Sequence, residues 1–226
     1  MPKGSKELTN ARKDEIINAC AALYEKMSFK EITLKEIGKQ TSFTRTSIYN
    51  YFQTKEEIFL ALMQREYEAW VDDLEALGNS GRAAAPEAFS AGLARTVERR
   101  ERLLKLMSMN LYDVEDNSRL ENLVAFKTAY NHALQAVASC LRACFPQMGE
   151  ERIREFICVF FPFLFGIYPY TSITEKQREA MELAGVDYAR ISVFQITEAF
   201  TARLLRGLGA GKGEAPFGAS ESAEMD

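Results

Sequence analysis

Residues 32–55 read ITLKEIGKQTSFTRTSIYNYFQTK. In Thr33-Leu34-Lys35-Glu36 a threonine precedes a glutamate by three residues, so hydroxyl and carboxylate can each satisfy an orphan amide of a first helical turn. This predicts a short helix over about residues 34–40. Thr41-Ser42-Phe43 reads as a turn and Thr44 as a second N-cap, opening a helix expected to reach about Phe52. Another capping box, Thr54-Lys55-Glu56-Glu57, follows at once. It opens a long amphipathic helix in which Ile58, Phe59, Leu62, Met63, Tyr67, Trp70, Leu74 and Leu77 recur at three- and four-residue steps. Two short helices joined by a three-residue turn make a helix-turn-helix when their apolar sides cross. Ile37, Phe43, Ile48 and Phe52 supply that contact, and Gly38 permits close approach.

The side of the second helix left outward carries Thr44, Arg45, Thr46, Ser47, Tyr49, Asn50 and Tyr51. Arg45 can bond guanine O6 and N7 together, Thr46 can touch a thymine methyl, and Ser47 can meet donors or acceptors on base edges. Tyr49, Tyr51 and Lys55 lie further along, where a helix leaves the groove and comes within reach of the DNA backbone. Thr33 and Lys35 sit at the positive end of the preceding helix, which suits a phosphate. Taken singly, each feature has an ordinary explanation: short polar helices are common, and tyrosines are often half-buried.

The combination is more specific. Ile48-Tyr49-Asn50-Tyr51-Phe52, followed by Lys55, resembles the end of the recognition helix in the TetR family of bacterial repressors, and Phe29–Gly38 resembles that family's first-helix exit and second helix. The resemblance is strong over about Arg12–Leu62 and architectural beyond. It implies an all-α fold: an N-terminal three-helix helix-turn-helix domain (1–55) and a larger helical effector-binding and dimerisation domain (56–208). The glycines, small residues and acids of the C-terminal stretch read separately as a disordered tail (209–226). The resemblance makes Arg45, Thr46 and Ser47 base-reading positions, and Thr33, Lys35, Thr44, Tyr49, Tyr51 and Lys55 phosphate-positioning ones. One departure stands out. The family usually has glycine in the turn where this chain has Ser42, and a left-handed non-glycine residue costs roughly 1–2 kcal/mol.

The rest of the 226 residues fits such a body. Hydrophobic residues make up 47% and charged residues 27%, an ordinary globular balance. The net charge of −4 hides an asymmetry: residues 1–65 hold eleven Lys/Arg against eight acids, and the remainder has an excess of seven acids. One end can meet phosphates while the body stays clear of them. Upstream, Ile16, Ile17, Cys20, Leu23, Tyr24 and Met27 form a helical stripe. Downstream, helical patterns run through about 86–114, 119–145, 150–168 and 191–208. Pro162 is expected to kink or break the third of these, and 169–190 reads as a loop with a short helix inside.

The resemblance places a dimer interface, a four-helix bundle, on the last two long helices of each subunit. The apolar faces Ile153, Phe156, Ile157 and Phe160 in one and Phe194, Ile196, Phe200 and Leu204 in the other suit it, the alternative being that these stripes are monomer core. The resemblance also implies a ligand-gated mechanism, in which a small apolar or aromatic effector among the central helices moves the helix starting near Lys55. Trp70, Met107, Tyr130, Phe163 and Tyr168 are the expected lining, although such residues are more often plain core.

Nothing in the sequence spells an enzyme, a cofactor loop or a metal site. His132 reads as a surface histidine, and Cys20, Cys140, Cys144 and Cys158 contain no Cys-x-x-Cys pair. The apolar run over residues 156–170 is too short and broken to span a bilayer, and MPKGSKELTN lacks a secretory core. The expected partners are double-stranded DNA, a second copy of the chain and the effector, with no membrane, in the cytoplasm. The competing expectations are a helical enzyme, and a DNA-binding adaptor whose body binds a protein.

Overall fold

The computed structural model describes residues 3–80 and 85–210. Among them are eleven α-helices and no strand: α1 (Lys3–Tyr24), α2 (Leu34–Lys39), α3 (Arg45–Ile48), α4 (Lys55–Ser80), α5 (Pro86–Glu98), α6 (Glu101–Met107), α7 (Leu111–Asp116), α8 (Leu120–Cys144), α9 (Glu150–Thr171), α10 (Glu175–Leu183) and α11 (Val193–Ala210). The expected disordered tail lies almost wholly outside the described residues.

The chain forms two compact units. The first joins Met1–Glu68 to Met109–Asn131, and the second joins Ala69–Ser108 to His132–Asp226. The first unit, the head, is built on the apolar stripe of α1. Ile16, Cys20 and Tyr24 are buried with Ile32, Ile37, Ile48 and Phe52, and with Ile58, Phe59, Leu62 and Met63 of α4. Phe59 takes the edges of two rings, Tyr24 at 5.1 Å and Phe29 at 4.8 Å between centroids. Burial of each such aromatic side chain stabilises by about 1.5–3 kcal/mol. Tyr67 lies edge-on to Tyr130 and tilted against Phe126, which brings the first half of α8 into the same core.

In the second unit α11 packs on α5 and α9, and α6 packs on α9. Phe163 stacks on Phe200 at 3.9 Å, and Phe89 meets Phe145 edge-on at 5.3 Å. Trp70 is buried against Phe161, with its indole N–H donated to Thr96 Oγ1 at 3.0 Å. Gly78 lets α4 approach α8 closely, since a Cβ there would sit 3.3 Å from Cys140 Sγ. After α10, Gly185 takes a left-handed φ of 66°. Gly185 N–H reaches Glu182 O and Val186 N–H reaches Met181 O, the two bonds of a Schellman stop.

Three expectations change here. Pro162 does not break its helix: α9 runs from Glu150 to Thr171 through Pro162 and Pro169. Both rings are exposed, on the outward side, where the carbonyls they leave without an amide donor can meet water. Consequently α9 reaches the length and apolar composition needed to cross a membrane, yet six of its residues, Ile153, Phe156, Phe160, Phe161, Leu164 and Ile167, are buried in this unit. Second, Ile153, Phe156 and Phe160, expected at a subunit interface, belong to that monomer core. Third, the long pattern over 86–114 divides into α5, α6 and α7, with Arg99 and Arg100 at the first break.

Candidate nucleic-acid interface

Thr33 caps α2 as its sequence requires, with extended backbone and Oγ1 accepting from Glu36 N at 3.2 Å. The Glu36 carboxylate is taken by Lys39 Nζ at 3.0 Å. Lys35 is exposed beside it, and a shallow concavity of about 350 Å³ is lined by Ile32, Thr33, Leu34, Lys35 and Lys55.

The turn into α3 needs no strain. No described non-glycine residue has a positive φ, so Ser42 carries no left-handed penalty. Instead the Glu15 carboxylate of α1 accepts from both the Ser42 amide and, at 3.2 Å, its hydroxyl. Those bonds hold the Glu15 carboxyl below its ordinary range. The Arg12 guanidinium lies 4.8 Å from the Phe43 ring centre, and Phe43 leans on Tyr51.

Thr44 stands at the N-cap of α3, but its hydroxyl meets the Ser47 hydroxyl at 3.3 Å and caps no amide. The α-helix closes at Ile48, shorter than expected. From there Asn50 N–H reaches Ser47 O, Tyr51 N–H reaches Ile48 O, and Phe52 N–H also reaches Ile48 O. This tighter, three-residue bonding suits a segment with β-branched Thr44, Thr46 and Ile48. It still carries the rod to Phe52. Ile48 and Phe52 are buried and anchor it, while Thr44, Thr46, Tyr49 and Asn50 are exposed, Tyr49 to 45%. Ser47 and Tyr51 are half-buried. Arg45 opens α3; its side chain lies outside the described part.

Lys55, at the start of α4, is bonded within the head. Its ammonium donates to Phe29 O at 2.7 Å and Ile32 O at 3.2 Å, and sits 4.0 Å from the Phe29 ring centre. It ties the α1–α2 connection to the start of α4, so its charge is already engaged within the head.

Glu57 was legible as the last residue of a capping box, but not for what it holds. Its amide donates to Thr54 Oγ1 at 3.2 Å, completing half of the box. Its carboxylate is buried, with 1% of the residue exposed, and accepts four hydrogen bonds. These come from Gln53 N at 2.7 Å and from Arg119 Nε, Nη2 and N at 2.6, 2.9 and 3.1 Å. Burial pushes this carboxyl up, but the bonds from Arg119 and Gln53 outweigh it and hold it below its ordinary range. Arg119 Nη2 also donates to Tyr51 O at 3.3 Å, and Thr54 Oγ1 donates to Asn117 O at 2.9 Å. No local pattern announces a partner 62 residues away.

The residues expected to line an effector pocket belong to different surroundings. Trp70 and Met107 are buried, Phe163 is stacked on Phe200, and Tyr168 is half-buried, all in the second unit. Tyr130 belongs to the head. The second unit has a groove of about 670 Å³ between α4 and α8, walled by Val71, Leu74, Glu75 and Asn79 on one side and by His132, Gln135, Ala136, Ser139 and Cys140 on the other.

Residues 64–212 match the family model described as "Tetracyclin repressor-like, C-terminal domain", and residues 16–62 match "Bacterial regulatory proteins, tetR family". The chain belongs to the TetR family. It is therefore a TetR-type transcriptional regulator with a helix-turn-helix DNA-binding domain. The Bacillus subtilis protein named "Uncharacterized HTH-type transcriptional regulator YfiR" is 30% identical over 63 residues, which are 28% of this chain and 31% of that relative, under a third of its length. A TetR-family transcriptional regulator structure from Mesorhizobium loti MAFF303099 covers 89% of this chain and 96% of its own, with a TM-score of 0.60 and 18% identity. The fatty acid degradation regulator FadR from Bacillus halodurans covers 90% and 97%, at 0.56 and 16%. At these identities the likeness is one of fold: both share the TetR architecture of a small helix-turn-helix head and a larger helical domain.

Proposed function

We propose that this TetR protein is a dimeric, effector-responsive repressor that reads a palindromic operator with α3 in the major groove. The observation that carries the reading is the two-sidedness of residues 44–52, with Ile48 and Phe52 buried and Thr44, Thr46, Tyr49 and Asn50 outward. Arg45, Thr46 and Ser47 read bases. Thr33, Lys35, Thr44, Tyr49 and Tyr51 hold phosphates. Lys55, engaged with the Phe29 and Ile32 carbonyls, braces the head instead.

One helix-turn-helix makes too few contacts to select a site alone, so two heads act on two half-sites. The outward stripe of α9 (Cys158, Pro162, Phe165, Gly166 and Pro169) offers a second copy an apolar face. The α4–α8 groove falls within the usual size of a small-molecule pocket. Leu74 and Cys140 supply apolar wall, and His132 and Gln135 polar contacts, for a small apolar or aromatic effector. Such an effector releases the operator only if it favours the non-binding state by a few kcal/mol. The protein acts in the cytoplasm, where its operator is.

Footprinting on the DNA upstream of the protein's own gene tests this. Two protected half-sites related by a dyad are expected, and a uniform or absent footprint at low salt contradicts the reading.

A further inference from the structure

We propose that Arg119, at the start of α8 and outside the matched DNA-binding segment 16–62, is a positioning residue for DNA reading. The inference rests on the reading of α3 as the recognition element. The guanidinium bonds to two groups beside the recognition rod. One is the Glu57 carboxylate, buried at the first turn of α4. The other is the Tyr51 carbonyl, on the turn by which the rod leaves α3. Between them lies the Gln53 amide, held by the same carboxylate.

Thus Tyr51, Thr54 and Glu57 close on one short segment, Asn117–Arg119, and Gln53 joins them through the Glu57 carboxylate. A planar fork suits this task because two parallel N–H bonds fix the carboxylate's orientation as well as its charge. Arg119 is only partly exposed, and its remaining nitrogen, Nη1, lies 3.3 Å from Glu121. The guanidinium therefore acts on α3 through Glu57 and Tyr51 without touching DNA itself. Lysine would keep the charge and lose the fork, and glutamine would lose the charge.

The test uses the full-length chain and a duplex enriched by the wild type from a random pool. Binding is followed by fluorescence anisotropy against salt concentration, at a temperature where circular dichroism shows every variant folded. Arg119→Gln is expected to lose at least about tenfold in affinity for the enriched duplex, to change little on a scrambled one, and to keep the wild-type salt slope, since no phosphate contact is removed. Arg119→Lys should fall between the two. Millimolar guanidinium should restore part of the affinity of Arg119→Ala but none of that of Glu57→Gln. If Arg119→Gln does not fold, the Lys and guanidinium arms decide. Enriched-duplex affinity within twofold of wild type in the folded variants overturns the proposal while leaving the reading of α3 standing. A salt slope lower by about one overturns it differently, making Arg119 a phosphate contact. A wild type that enriches no duplex removes the reading of α3, and this proposal with it.

Discussion

Side chains that meet bases and side chains that meet phosphates fail differently when removed, and the proposed function assigns both kinds within a few residues of each other. Arg45→Ala is expected to relax base choice at one position per half-site at a cost of roughly 1–3 kcal/mol, whereas Lys35→Ala should weaken all sequences alike and lower the salt slope by about one. Binding to matched and scrambled duplexes at several salt concentrations separates them. Lys55 is predicted to follow neither pattern. Lys55→Met strips the Phe29 and Ile32 carbonyls of their donor and should destabilise the head by about 1–3 kcal/mol, read in urea, with no change of salt slope. Glu57 adds a pH signature. Its carboxyl is held below the usual 4.5, so its contribution is complete above that value and lost as pH falls through the lower folded value. The deficit of Glu57→Gln against wild type in urea melts should accordingly be full near neutrality and shrink below about pH 4.5; a deficit constant down to acid unfolding would contradict it.

Elements are where the sequence spoke most clearly, and where its silences have physical causes. Thr33 and Thr54 marked the starts of α2 and α4 because a capping hydroxyl and the amide it accepts from are three residues apart. The apolar side of α3 was legible because Ile48 and Phe52 are one turn apart. The distant half of the joint was not, since Arg119 reaches Glu57 only after α4 to α7 have been laid down. The direction of Lys55 was equally hidden: a flexible four-carbon stem can turn outward to a phosphate or inward to a carbonyl. Pro162 misled because a proline costs a helix least where the freed carbonyl faces water, and exposure is a tertiary fact. The same fact reassigned α9. Its inward residues Phe156 and Phe160 are monomer core, and the stripe through Cys158, Pro162 and Gly166 is exposed, which the proposed function gives to a second copy. Phe165→Glu on that stripe should move the chain from twice its monomer mass to its monomer mass in light scattering, with the helical spectrum kept. Phe160→Ala, in contrast, should cost about 3–5 kcal/mol of stability.

At the scale of the molecule the two compact units divide the work. The second unit carries the α4–α8 groove, and the head carries α3. Helices α4 and α8 each contribute residues to both units. The compact head also includes Met109–Asn131, so α7 and the start of α8 belong with the helix-turn-helix although the chain reaches them much later. A side chain large enough to fill the groove, such as Ala136→Trp, should therefore make operator binding insensitive to whatever effector releases the wild type. Unaltered release would place the effector elsewhere.

The central claim is that the polar side of the rod from Thr44 to Phe52 enters a DNA groove. Amide resonances of the isotopically labelled protein, titrated with the footprinted duplex, report on this directly. The largest shifts should fall at Thr44–Asn50 and at Thr33–Lys35, with the Ile48 methyls and the Phe52 ring unmoved in their core contacts. Shifts centred on α9 or α10, with Thr44–Asn50 unchanged at saturation, would contradict it.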